Sequence, residues 1–451
     1  MNGFRKGLLL FFSMMLFIVI VAGCSDESNT EDSTEGSEGS TTDDTEDSTD
    51  ETVTLRMVES LTSPARTELL NSMIATFEEE NPNIKVELIS PPLQSADEKI
   101  AQMLMAKEDI DVLEVRDQTV KQFSNNSFIE DLATYTSSWE NWDSLNDIAK
   151  HGATAVNETP YFIPYGIYEK TLFYRKDWFE EAGLEVPETW EDLYNAAVEL
   201  TDPSQNRYGY SFRGGAGSSD YVEFMTWSYV GNEIVQDDGY FTKDGEPMFA
   251  TDEAKDALEM FVKSYEDASP PDSISWSYPE MVQGFTSGMT AMLIQDPEVI
   301  VTAEENMEEG TWDTAPLPKG VPSGVAQQTA GTAGWGIGAF SEHKEEAWKL
   351  ISFLSSPEQN LHFAKNNSLI PVHKSAGDDP FFKEGYFSSY IEMNAKLDEY
   401  LIADRPVDYE GWGEYRGIAE QDIQSLLLGD VTVEDTLQKW TDYWNEQKEQ
   451  Q

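Results

Sequence analysis

Residues 52–89 read TVTLRMVESLTSPARTELLNSMIATFEEENPNIKVELI, and the hydrophobic period changes twice within them. Thr52 to Val58 alternates apolar and polar side chains, the pattern of a strand. Ser63 to Asn81 instead places Leu69, Met73, Ile74 and Phe77 at helical spacing, and Pro82 stops that helix. Ile84 to Ile89 alternates again. Working outward, Ser95 to Ala106 is helical, Asp111 to Val115 is a strand, and a further helix begins at Gln118. Strands alternating with helices of this length predict an α/β chain with a parallel sheet. Ligands of such sheets bind beyond the carboxyl ends of the strands, which points to Glu59-Ser60-Leu61 and to Arg116-Asp117.

The amino terminus is built differently. Arg5 and Lys6 precede a short apolar run, Leu8 to Ile20, which ends in Val21-Ala22-Gly23-Cys24, and Cys24 is the only cysteine of the chain. This arrangement predicts a signal peptide over residues 1–23. Val-Ala-Gly-Cys also resembles a bacterial lipobox, implying lipidation of Cys24 and a location on the extracytoplasmic face of the cell membrane. Two acyl chains hold durably where one does not, since each buried methylene contributes about 0.8 kcal/mol. An uncleaved transmembrane anchor and a chance cysteine in a signal peptide are the alternatives, although the run is shorter than the ~20 residues a bilayer crossing needs. Residues 25–52 hold twelve acidic residues and no basic, aromatic or aliphatic one. Residues 24–52 are therefore expected to be the lipidated cysteine and a disordered tether, spanning roughly 30 Å.

The chain has 85 acidic and 29 basic residues, a net charge of −56, and most of that excess lies beyond the tether. Nucleic-acid partners are excluded on this balance, because phosphate binding draws on clustered Lys and Arg. The roughly 400 remaining residues exceed one core of ordinary size, which predicts two domains. With 12 Trp, 19 Tyr and 22 Phe, aromatics are plentiful for a core alone and also suit stacking on flat ligand faces.

Local signals add structure without chemistry. Thr189 reads as a helix N-cap with Asp192 three residues on, Gly183 as the close of the preceding helix, and Asp244-Gly245 as a hairpin turn between Tyr240-Phe241 and Met248-Phe249. No Gly-x-Ser-x-Gly, HExxH, Walker or GxGxxG motif is present, and His151, His343, His362 and His373 are scattered without ligand spacing. No catalytic residue, metal or cofactor is expected, and the chain is read as a non-enzyme.

Dispersed stretches carry a family likeness. FEEENPNIKV at 77–86, TPYFIPYGIYEKTLFYRK at 159–176, Ala182-Gly183-Leu184, PETWEDL at 187–193, Tyr208-Gly209-Tyr210, FTSGMTAML at 285–293, APLPK at 315–319 and GWGIGAFSEHKEEAWKLISFL at 334–354 occur in order. They resemble the maltose-binding-protein-like, sugar-type extracellular solute-binding proteins of bacterial ABC importers. The resemblance implies a two-lobed periplasmic-binding-protein-like α/β fold with a hinge and an inter-lobe cleft. It places the N-terminal lobe at 53–164 and 326–374 and the C-terminal lobe at 165–325 and 375–451. The implied function is a monomeric receptor that captures a mono- or oligosaccharide and delivers it to the permease. A surface glycoside hydrolase and a receptor for a compatible or other cationic solute are the alternatives.

The same resemblance selects ligand candidates. Glu59 and Ser60 follow the first strand, and Arg66 lies in the first helix turn, with an exposed helix charge as the rival reading. Arg116 and Asp117 suit hydroxyl recognition or a mutual salt bridge. Tyr165 and Tyr168 follow the first crossing at Ile163-Pro164, and they and Trp227 divide between cleft and core. Asp296, after Gln295, stands at an edge the family uses for ligand. Glu298 stands where maltose-binding protein carries a stacking tryptophan, which weakens a maltodextrin assignment. Trp335 follows Gly334 near the second crossing, with packing as its rival. Trp412, flanked by glycines, resembles the family's stacking platform, and Arg416 shares its face if the segment is helical.

Overall fold

The computed structural model describes residues 52–235, 238–406, 409 and 411–450. The expected signal peptide, Cys24 and nearly all of the tether lie outside the described residues. Strands β1 (Val53–Val58), β2 (Ile84–Ile89) and β3 (Val112–Arg116) form as the alternation predicts, with a helix at Pro64–Glu80 between the first two. Ser63 caps that helix by accepting from the Arg66 backbone N–H, and Pro64 occupies its first position, where no donor is lost.

These strands belong to a five-stranded sheet of order β2-β1-β3-β10-β4, completed by β4 (Ile163–Tyr168) and β10 (Gly331–Ile337). β1 runs parallel to β2 and β3, whereas β10 is antiparallel to both β3 and β4. The sheet is thus mixed rather than wholly parallel. A second sheet of order β6-β7-β5-β8 combines β5 (Thr171–Tyr174), β6 (Tyr208–Tyr210), β7 (Thr290–Gln295) and β8 (Asp313–Ala315). Two short parallel strands, β9 (Ala326–Gln328) and β11 (Tyr400–Ile402), make a third pair.

The chain passes from the first sheet to the second through Glu169 and Lys170 alone, between β4 and β5. The boundary expected between residues 164 and 165 therefore falls inside β4. Pro164 reads as a break in sequence, yet it pairs with Gly334 at a register shift, where a missing N–H is tolerated. A Cβ on Gly334 would lie 2.2 Å from the Ile163 carbonyl oxygen, so glycine is required there. The return passage runs from β9 into β10, and the Gln328 side chain ties it to the outward one. Its Oε1 accepts from the Lys170 backbone N–H at 2.7 Å, and its Nε2 donates to the Lys170 carbonyl at 3.2 Å.

Helix Ser218–Val230 is buried on nearly every side, as an apolar helix enclosed by other elements must be. Against it and helix Asp252–Ala268 pack the C-terminal helices Trp412–Leu427 and Val433–Gln450. Helix Pro357–Asn366 packs instead on β4 and on the first helix. Six tryptophans, including Trp227 and Trp335, are fully buried, so core packing accounts for much of the aromatic excess. Thr189 and Asp192 form a reciprocal capping box, and Gly183 closes the preceding helix at φ 68°. Gly245 turns the chain at φ 84° in the expected hairpin turn, where Phe241 bridges Pro247 antiparallel and the Met248 N–H donates to the Tyr240 carbonyl at 2.9 Å, before a 3₁₀ turn at Met248–Ala250.

Candidate functional site

The carboxyl ends of β1 and β3 and the start of β10 share one edge of the first sheet. This edge faces Arg213 after β6, Asp296 after β7, and helix Ser218–Val230 of the second sheet's region. Between them lies a chamber of about 560 Å³, and a second of about 800 Å³ adjoins it. Both chambers are walled by Asp117, Gln118, Thr329, Thr332 and Arg405, so they form one cleft. His151 and Asp404 meet at 2.9 Å in the wall of the second chamber, joining helix Asp147–Ala153 to the segment before Arg405.

Behind the first-sheet wall sits a buried ionic knot. The Arg66 guanidinium donates to Glu59 at 2.5 Å, to Glu114 at 2.9 Å and to the Tyr165 hydroxyl at 3.1 Å. The Tyr165 hydroxyl in turn donates to Glu114. Thr67 and Ser90 saturate the other Glu59 oxygen, each at 2.6 Å, while the Ser60 and Leu61 backbone N–H groups donate to Glu114. Tyr165, Trp335 and Phe363 surround the guanidinium with ring centroids at 5.4, 5.9 and 5.5 Å. Glu59, Tyr165 and Trp335 are thus spent inside the lobe, Ser60 contributes only its backbone N–H while its buried hydroxyl is unpartnered, and none of the four lines the cleft, contrary to their expected ligand roles. Burial of charge demands paired partners, and the strand ends supply them.

The second lobe presents a more open cluster. Arg405 lies 3.4 Å from both Asp220 and Glu223, and Arg416 reaches Asp220 at 3.2 Å. Burial alone would raise the Asp220 carboxyl, but Arg405 and Arg416 outweigh it and hold it below its ordinary range. Burial pushes the Glu223 carboxyl up despite Arg405. Asp117 is likewise raised by burial, against the pull of Arg405 and Arg116.

Among the expected residues, Arg66, Arg116, Asp117, Tyr168, Trp227 and Asp296 line the first chamber, and Trp412 lines the second. Arg116 bonds Asp97 rather than Asp117, so the expected mutual salt bridge is not formed. Trp227 is 1% exposed and donates its indole N–H to the Gly239 carbonyl, so it serves chiefly as packing at the chamber's edge. Trp412 opens helix Trp412–Leu427, and the Arg416 guanidinium lies 5.5 Å from its ring, the helical neighbour foreseen from spacing. Arg416 itself lines neither chamber, contrary to its expected ligand role, and pairs with Asp220. Asp296 accepts from Lys170 at 3.2 Å.

Lys170, Arg213, Asp220, Glu223, Tyr278 and Arg405 also line the first chamber and went unselected in the sequence. For two of them a signal existed: Asp220 and Glu223 are the only charges in an otherwise apolar or hydroxylic helix and share a face at three-residue spacing. Several buried polar atoms of chamber residues have no hydrogen-bond partner, namely Arg66 Nε, Arg116 Nε, Tyr168 Oη, Glu223 Oε1, Thr332 Oγ1 and Asn367 Nδ2. Trp412 Nε1 and Asp238 Oδ1 are in the same condition at the second chamber. Among the described residues no group of His, Cys, Asp and Glu could hold a metal ion, and no helix is long and apolar enough to cross a membrane.

Known proteins share this architecture. A putative binding protein of Brucella abortus (strain 2308) is 24% identical over 363 residues, covering 78% of this chain and 83% of that protein. An erythritol/L-threitol-binding protein of Mycolicibacterium smegmatis is 27% identical over 230 residues, 49% of this chain and 46% of that protein. The maltose-bound MalE3 structure from T. maritima superimposes with a TM-score of 0.75 at 24% identity, over 88% of this chain and all of that one. It has the same two-lobed fold. Residues 62–361 match the model of the bacterial extracellular solute-binding proteins, and with the two-lobed fold around an inter-lobe cleft this makes the chain a member of that family.

Proposed function

We propose that the chain is a lipid-anchored, extracytoplasmic receptor that captures a carbohydrate or polyol in this cleft and passes it unchanged to an ABC permease. One observation carries the ligand class. The unpartnered buried atoms include donors, two carboxylate acceptors and hydroxyls that can act as either, distributed around both chambers. An orphaned buried polar atom costs about 1–3 kcal/mol, so the cleft calls for a ligand dense in hydroxyls, each able both to give and to accept a bond. The Tyr168, Tyr278 and Trp412 rings offer apolar faces beside those atoms. The polyol and the maltose named for two relatives are consistent with that chemistry. Arg116, Asp117, Tyr168, Asp296 and Trp412 are the proposed contacts from the sequence reading, joined by Glu223, Thr332, Asn367 and Arg405.

Residues 53–168 with 331–374 would form one closing body, and 171–325 with 375–451 the other. The receptor acts as a monomer, held at the membrane through Cys24. A thermal-shift screen of the purified protein against saccharides and polyols tests the capture step. A solute at a hundredfold its Kd should add about 2.7 kcal/mol of stability. Absence of any shift from a folded protein would sink the receptor reading, and hydrolysis of a glycoside would replace it with an enzymatic one. Incorporation of labelled palmitate, lost in Cys24→Ala, tests the anchor.

A further inference from the structure

We propose that the captured solute carries a protonated amine, seated against the Glu298 carboxylate beside Tyr168 and Tyr278 in the first chamber. This deepens the receptor reading above and rests on it. The chamber's ionic groups are mostly committed. Arg66 is held by Glu59 and Glu114, Arg116 by Asp97, Lys170 by Asp296, and Arg405 by Asp220 and Glu223. Among the described residues Arg213, Asp117 and Glu298 line the chamber without an ion-pair partner. Arg213 donates Nε to the Ala216 carbonyl at 2.6 Å and faces the Tyr221 ring at 5.9 Å. Asp117 has Arg405 and Arg116 nearby.

Glu298, the N-cap residue of helix Val299–Asn306 with no side-chain cap bond, is the one of the three whose charged neighbours are mostly of its own sign. The charges facing it are Asp296 and Glu114, both negative, and Arg66, whose hydrogen bonds are directed to two other carboxylates. The Tyr168 and Tyr278 rings stand close by and are both neutral at physiological pH. Burial first, and the Asp296 charge second, push the Glu298 carboxyl up to about 7. A hydroxyl could donate to this carboxylate but would leave its charge uncompensated. An ammonium does both, and it gains cation–π attraction from the tyrosine faces. Glu223, 5% exposed and with one carboxylate oxygen unpartnered, offers a second acceptor in the same chamber. The net charge of −56 draws cations toward the surface as a whole.

Because the amine needs the ionised carboxylate, binding displaces a proton from Glu298 to the buffer. Affinity for an amine-bearing solute should therefore rise about tenfold from pH 5.5 to 7.0, while that for a neutral solute stays flat.

The test uses the full chain, purified in detergent, and matched probes: glucose and glucosamine, galactose and galactosamine, cellobiose and the glucosamine disaccharide. Calorimetric titration is run at both pH values and in two buffers of different ionisation enthalpy. Tighter binding of the amine member, proton release, and loss of the preference in Glu298→Gln are the expected results. Equal or tighter binding of the neutral members, with no proton release, overturns the inference while leaving the receptor reading in place. If no probe binds the folded protein, both fail for these sugars. The pH series on the unaltered chain remains decisive even if the variant does not fold.

Discussion

Two arginines guard the cleft from opposite lobes, and each meets two carboxylates. Arg66 is 2% exposed, its partners Glu59 and Glu114 are fully buried, and nearly every oxygen in the knot is bonded within one lobe. Arg405 sits at longer distances, 3.4 Å from both partners, and leaves an oxygen of Glu223 unpartnered. Similar charges therefore do different jobs. A cluster whose carboxylate oxygens are all bonded holds the strand ends and the first helix in place, with only Arg66 Nε unpartnered, whereas the Glu223 oxygen left free at the cavity wall can still accept a bond. Saturation, more than residue type, separates framework from binding surface.

The strongest way to break this comparison is to remove the guanidinium from the saturated side. Arg66→Met leaves Glu59 and Glu114 facing each other without a cation and should cost about 3–5 kcal/mol in urea unfolding. Adding Glu59→Gln and Glu114→Gln should recover part of that loss. If Arg66→Met alone is neutral, the knot is not structural.

A carboxyl with no cation at all sharpens the contrast. Glu169, in the outward crossing, is 1% exposed, has Asn394 at 3.2 Å as its side-chain bond, and is pushed up to about 8 by burial. Its folded form holds a proton that the unfolded chain releases near the ordinary carboxylate range. Stability from this group is thus present below about pH 4.5 and lost as pH rises toward 8 and beyond. Relative to Glu169→Gln, the parent chain should lose about 2–4 kcal/mol between pH 5 and 9. Parallel pH–stability curves for the two would show that the carboxyl is solvated.

On the unsaturated side, Arg405→Gln should cost less stability than Arg66→Met, because Asp220 keeps Arg416, and should weaken a bound saccharide by about 2 kcal/mol, read by titration calorimetry. A large loss of stability instead would make Arg405 a second Arg66. The smallest effect belongs to Trp412→Ala, about 1 kcal/mol of affinity, confined to ligands long enough to enter the second chamber.

The same distinction explains what could be read in the sequence. Strand and helix periods from Thr52 to Arg116 were legible because they are local, and so was the Thr189 cap. The antiparallel placement of β10 was not, since it depends on a partner more than 150 residues away. Glu59, Tyr165 and Trp335 looked like ligand groups because a strand end does not announce whether its side chain turns to the cleft or to Arg66. Arg66 is their common partner, and Glu114, which accepts from both Arg66 and Tyr165, attracted no notice inside an apolar strand. Glu223 was harder to see, one of two carboxylates in a helix whose other residues read as core.

The amide of Gln328 that clasps the Lys170 backbone has a mechanical meaning. Two chain passages bound side by side behave like a short leaf spring. They bend easily about the line across them, and they resist shear and torsion. Opening and closing would then follow a single arc, so the chamber walls return to the same register at every cycle. Cutting that clasp in Gln328→Ala would widen the range of inter-lobe orientations before it altered any contact with the solute.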